Sequence, residues 1–172
     1  EVDRGASFSI YQFMMERLKA YYKDAHVDGN VFEAVLAVSP DSPFDFHKRV
    51  EAFNDFVQKT ESKSLIEANK RIANILKDFE SNDVEIDSRL LIEDSEQKLF
   101  QATESIAKQL SEQKDYKAIV RSLLELKEVI DTFFDKVMVN VDDIELRQAR
   151  LKLINRVRGL FLSVADVSYL SS

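Results

Sequence analysis

The sequence has no cysteine, which removes disulfide frameworks, thiolate metal sites and cysteine nucleophiles and points to a reducing, cytoplasmic setting. Three glycines and two prolines in 172 residues leave little material for tight hairpins. No glycine-rich phosphate loop and no Gly-x-Ser-x-Gly elbow occurs, so nucleotide hydrolysis and acyl transfer by this chain are unsupported and no catalytic residue is assigned. No stretch approaches the ~20 uninterrupted apolar residues of a membrane helix, and the opening EVDRGASFSI lacks the layout of a signal peptide. A soluble chain with no membrane partner is expected. Because it starts at a glutamate with helical patterning close behind, it is also expected to be part of a longer protein. Histidine is scarce: neither His26 nor His47 has a glutamate three residues earlier, which excludes a Glu-x-x-His di-iron site. No metal and no cofactor is expected. Positive charge is in short supply as well. The net charge of -7 argues against a broadly basic surface of the kind that binds phosphate non-specifically.

What is abundant is helix-forming residues set at helical spacing. Tyr11, Met14, Met15, Leu18 and Tyr22 form a first apolar stripe, with Ser7 or Ser9 as its cap. Asn30 with Glu33 reads as a capping-box variant opening a short helix that Pro40 and Pro43 terminate. Phe46, Val50, Phe53 and Val57 share one face of a third helix, with Asp45 as its cap or first-turn acid. Ser64 and Glu67 read as a capping box for a fourth, with Leu65, Ala68, Ile72, Ile75, Leu76 and Phe79 on its apolar side. Residues 80–93 lack a clean period and form a connection with room for a turn of helix. A fifth helix spans 95–112, and Asp115 caps a sixth stretch that breaks near Lys127. Asp142 with Glu145 opens the last helix, which runs to about Ala165. The expectation is an all-α fold: residues 1–172 as a single domain, one bundle of about seven helices without a sheet.

Five basic residues and no acid lie between Arg147 and Arg158. At about 100° per residue, Arg150 falls among Leu146, Leu153, Ile154, Val157 and Phe161 on the apolar face. It therefore reads as a buried or half-buried structural arginine that needs a carboxylate such as Asp135 or Asp131 for an ion pair. Lys152 and Arg156 point away from that face, and Arg147 and Arg158 sit at its margin. On the fourth helix Lys70, Asn74 and Lys77 lie opposite the stripe, and Asn69 borders it, placed to tie down a loop backbone.

Three segments carry a resemblance. FSIYQFMMERLKAYYKD with VFEAVLA is similar to a Phe-Leu-x-x-Arg-Leu helix followed by Ala-Val-Leu-Ala. SLIEANKRIANIL matches Ala-Asn-Lys-Arg-x-x-Asn-Ile-Leu at Ala68 to Leu76. The most specific segment is IDTFFDKVMVNVDDIELRQARLKLINRVRGLFLSVADVSYL, through Phe133 to Asp135, Val137 to Asn140, Asp142, Leu146, Arg147, Arg150, Leu151 and Asp166. Together they resemble the C-terminal region of the bacterial tetrameric glycyl-tRNA synthetase β subunit. The Leu-Arg followed three residues later by Arg-Leu also resembles the helical anticodon-binding domain of DALR type. Ala149 stands where relatives commonly have asparagine, so no polar contact is expected from it.

The resemblance implies a non-catalytic part of an ATP-dependent glycine:tRNA ligase of two α and two β chains. Its partners would be glycine tRNA, the α subunit and the rest of the β chain. It also implies that an anticodon loop, whose glycine anticodons share two cytosines, is engaged here. Lys70, Asn74, Arg147, Lys152 and Arg156 are then expected to line one patch that holds the anticodon arm, with Asn140 placed to read a base edge or to cap a turn. The rival reading, which the net charge favours, is an acidic helical protein-interaction module that touches no RNA.

Overall fold

The computed structural model describes residues 4–79, 85–113 and 115–170, with side chains from Phe13 onward. Among these residues there is no strand, and eight α-helices follow one another. They are α1 (Arg4–Asp24), α2 (Gly29–Leu36), α3 (Pro43–Val57), α4 (Ser62–Ile75), α5 (Asp94–Glu112), α6 (Tyr116–Leu124), α7 (Lys127–Lys136) and α8 (Ile144–Leu162), with 3-10 turns at Ser88–Leu90 and Val167–Tyr169. The count exceeds seven because the sixth stretch breaks at Glu125–Leu126, the break its pattern indicated. No helix among the described residues is long and apolar enough to cross a membrane.

Local chemistry sets the helix ends, often one or two residues from the expected caps. Helix α1 begins at Arg4, so Ser7 and Ser9 lie inside it; the Tyr11 side chain falls outside the described residues. Its C-terminus closes in a Schellman motif: His26 takes φ 58°, His26 N–H donates to Lys23 O (3.1 Å) and Val27 N–H to Tyr22 O (3.0 Å). The cap of α2 is Asp28, which accepts from Asn30 N–H at 2.8 Å, so Asn30 is inside the helix. Ser42 caps α3, with Pro43 in the first turn and Asp45 as the first-turn acid. Helix α4 starts at Ser62 without a side-chain cap. That leaves Ser64 to donate to Asp131 Oδ1 at 2.6 Å across to α7. Asp115 caps α6 as expected, and the cap of α8 is Asp143, accepting from Leu146 N–H at 3.1 Å, one residue beyond Asp142. Because α8 ends at Leu162, Ala165 lies past it.

The expected stripes are buried where helices meet. Phe46, Val50 and Phe53 of α3 and Leu65, Ala68 and Ile72 of α4 are in the core, while Ile75, Leu76 and Phe79 pack at its edge. Helix α3 packs on α2 and α6, α5 on α7 and α8, and α4 on α7, α8 and the second 3-10 turn. Helix α1 contacts α2 and is also joined to α3 by a 2.9 Å hydrogen bond between Tyr22 Oη and His47 Nδ1. Both histidines thus serve the fold. Asn69, 2% exposed, donates to Leu65 O at 2.9 Å: it binds its own helix rather than a loop.

Arg150 is buried, 6% exposed, and its carboxylate is Glu96 of α5, not Asp135 or Asp131. Asp135 is exposed near the end of α7, and Asp131 is occupied by Ser64 and by Lys127 Nζ at 2.8 Å. Packing of α5 against α8 sets Glu96 under Arg150 from a position 54 residues away in the chain. The pair does more than neutralise itself. Arg150 Nη1 donates to Met138 O at 2.8 Å, and Glu96 Oε2 accepts from Glu93 N–H at 2.8 Å, so the α7–α8 turn and the start of α5 are held from one point.

A second tie joins α3, α6 and the end of α8. Arg49 donates from Nε to Asp45 (2.7 Å) and from Nη1 to Ser163 O (2.7 Å) and Val164 O (3.0 Å), with its guanidinium 4.6 Å from the Tyr116 ring centre. Tyr116 Oη donates to Asp45 at 2.6 Å. Burial raises the Asp45 carboxyl, but hydrogen bonds from Tyr116 and Arg49 and the Arg49 charge outweigh it, leaving the pKa below the ordinary value.

Two outcomes follow from these ties. Replacing Arg150 by alanine strands a fully buried Glu96 and should lower unfolding free energy by roughly 3–5 kcal/mol. The double change Arg150→Met with Glu96→Leu should recover only part of this, because Met138 O and Glu93 N–H lose their partners; urea denaturation of the three proteins measures both differences. A depressed folded-state pKa means that Asp45 stabilises above the usual carboxylate value of about 3.9 and that this contribution disappears as pH falls through the lower folded value. Asp45→Asn should therefore melt lower than the parent at pH 7. Its Tm should also drop less between pH 7 and pH 3, with Asp131 and Asp87, both shifted in the same sense, contributing to the dependence that remains.

Candidate nucleic-acid interface

The last long helix presents several of its exposed polar residues as one stripe. Ala149, Arg150, Leu153, Ile154, Val157, Leu160 and Phe161 are buried, while Gln148, Asn155, Arg156 and Gly159 are exposed and Lys152 is half-buried. Residues 148, 152, 155, 156 and 159 fall within about 100° around the axis. This stripe borders a groove of about 530 Å³ between α5 and α8, lined by Leu110, Lys152, Asn155, Arg156, Gly159 and Leu160. Lys152 also lines a second groove, of about 610 Å³, between α8 and the first 3-10 turn, with Ile86, Arg89, Ile144 and Gln148.

Each candidate cation already has an engagement within the protein. Lys152 Nζ donates to Glu85 O at 3.0 Å. Arg156 Nε meets Glu104 Oε1 at 3.1 Å, both side chains about 44% and 43% exposed; a pair this open is worth little and can be exchanged for a phosphate. Arg147 Nη1 donates to Val141 O at 3.2 Å and steadies the α7–α8 turn. Nine residues before Arg156, it lies about 180° from it around the axis, so α8 does not bring these two arginines together. Arg158 is committed to the fold, donating to Asp166 at 3.1 Å.

The remaining candidates lie elsewhere. Lys70 is half-buried and engaged, and Asn74 is exposed one turn further along α4; neither lines the grooves that Lys152 borders. Asn140 is exposed in the α7–α8 turn, where buried Val137 and Val139 alternate with exposed Met138. Ala149 is 3% exposed, a small residue closed in beside the first 3-10 turn. Asn155 went unnoticed in the sequence. Its signal was its register, three residues after Lys152 and one before Arg156, on the same stripe.

Comparison with known proteins places these elements in a family. The DALR anticodon binding domain matches residues 65–166, from the first turn of α4 to the residue capping the second 3-10 turn. The chain is 42% identical over 170 residues to the glycine–tRNA ligase beta subunit of Pseudomonas aeruginosa (strain LESB58), covering 96% of this chain and 25% of that protein. It is 41% identical over 165 residues to the protein of the same name from Aliivibrio fischeri (strain MJ11), with 94% and 24% covered. For Coxiella burnetii (strain RSA 331 / Henzerling II) the identity is 42% over 166 residues, with the same coverage. The chain spans about a quarter of the length of the curated relatives it matches. Since the match takes in more than half of the chain, including every candidate contact and the grooves' α8 wall, this protein belongs to the family of DALR anticodon binding domains.

Proposed function

We propose that this chain is the anticodon-recognition domain of a glycine–tRNA ligase beta subunit: one non-catalytic, cytoplasmic domain that holds the anticodon arm of glycine tRNA while other parts of an α2β2 enzyme activate glycine with ATP. The observation that carries this reading is the family match over residues 65–166, which contains Lys70, Asn74, Asn140, Arg147, Lys152 and Arg156. The names of the relatives support the amino acid. The same match weighs against the interaction-module reading that net charge alone favoured.

Specific RNA recognition targets unpaired loop bases, read at their edges and stacked on side chains, with phosphates held by cations. The α5–α8 groove has the parts for both tasks. Lys152 and Arg156 supply charge, the Asn155 amide offers donors and an acceptor, and Leu110 and Leu160 form an apolar wall. A net charge of -7 is compatible with this, because recognition needs only a local cationic stripe. The protein itself contributes no cofactor to this role.

Binding to an anticodon stem-loop of glycine tRNA, followed by fluorescence anisotropy, tests the reading. Arg156→Ala should weaken binding for every loop sequence and make the salt dependence shallower by about one unit of log-log slope. Asn155→Ala and Asn74→Ala should instead reduce discrimination between the cytosine-containing loop and its uracil variants, by roughly 1–3 kcal/mol if the amide reads a base edge. Equal affinity of the unaltered protein for cytosine and uracil loops would refute the assignment.

A further inference from the structure

Outside the family's matched α8 stripe, the seam between α3 and α6 forms a groove of about 280 Å³. Its floor includes Phe56 and Leu124, and its rim carries Lys59, Lys117 and Arg121 against one acid among the described residues, Asp55. In a chain of net charge -7 this is a local excess of positive charge. These cations are also less engaged than those of α8. Lys117 reaches Asp55 only at 3.8 Å, with side chains 46% and 63% exposed. Lys59 and Arg121 are exposed and take part in no ion pair among the described residues.

Lys117 and Arg121 are four residues apart on one face of α6, so they stand side by side, with Lys59 across the seam. Three single charges spread over the two walls of a seam suit a chain of single charges better than one compact anion. Further along the chain Lys63 is exposed on the same helix as Lys70 and Asn74, about 10 Å from Lys70 along the axis, with the exposed acid Glu67 between them. We propose that the α3–α6 groove is a second RNA contact, holding the phosphodiester backbone of the same tRNA outside the loop that is read. This inference rests on the preceding functional reading for its ligand. The fold offers one competing reason for these cations, since Arg121 lies in the last turn of α6 and Lys59 just beyond α3, where positive charge meets the helix dipole.

The test is the affinity of this chain for a full glycine tRNA transcript across a salt series, in the unaltered protein, in the double variant Lys59→Gln/Arg121→Gln, and in Lys23→Gln on α1 as a control. Thermal melting of each protein shows whether loss of the dipole interaction has harmed the fold. The expected result is a roughly tenfold weaker affinity of the double variant at moderate salt, with a log-log slope shallower by about 2. The loss should be the same for transcripts with intact and altered anticodons, because backbone contacts carry no sequence information. A double variant that binds like the Lys23→Gln control, while the unaltered protein still distinguishes anticodons, overturns the groove and leaves the anticodon reading intact. A protein that binds without distinguishing anticodons, but is weakened tenfold by the double change, keeps the groove and removes that reading. A protein with no measurable affinity for the transcript overturns both.

Discussion

The buried pair of Arg150 and Glu96 is the constraint on which the C-terminal half of the structure depends. A charge removed from water is costly unless paired and hydrogen-bonded, and here each partner spends its second donor or acceptor on backbone that no helix would otherwise satisfy. Arg150 takes the Met138 carbonyl in the α7–α8 turn; Glu96 takes the Glu93 amide at the start of α5. The turn carrying Asn140 and α5, which forms one wall of the α5–α8 groove, are therefore set in position relative to α8 by a single ion pair. With Val137 and Val139 buried on either side, the exposed side chains of Met138 and Asn140 are fixed in direction as well.

Arg49 plays the corresponding part at the other end. It satisfies two carbonyls at the C-terminus of α8, where orphan acceptors and the negative end of the helix dipole favour a cation, and through Asp45 and Tyr116 it joins α3 to α6. The α3–α6 seam and α8 are thereby coupled, although the two surfaces proposed to meet RNA are made by different helices. Two groups stand out among the positive charges of the described residues. Arg49, Arg150 and Arg158 hold helices together, whereas Lys59, Arg121 and the openly paired Arg156 face solvent. A net charge does not record that division, which is why an acidic chain can still present cationic grooves.

Much of this was legible in the sequence. Helical periodicity identified the elements, including the break near Lys127, because each helix must bury one stripe and that stripe repeats with the helix turn. The burial of Arg150 followed from its position on such a stripe, and membership of the anticodon-binding family from the residues of α4, α7 and α8. Caps were less secure. Asp28 and Asp143 took over from Asn30 and Asp142 because neighbouring polar residues compete for the same backbone amides, and geometry at the helix start decides between them.

Pairing across helices was the part that only the tertiary structure decided. Asp135 and Asp131 were the partners expected from the sequence, but a side chain's partner is set by which helix packs against it, and α5 delivered Glu96 from 54 residues away. The same holds for the grooves. Sequence phase on α8 could group Lys152 with Arg156 and separate both from Arg147, since a single helix has one geometry. It could not show that Lys59 and Arg121 face one another, because the α3–α6 seam comes into being only when two distant amphipathic faces are buried together.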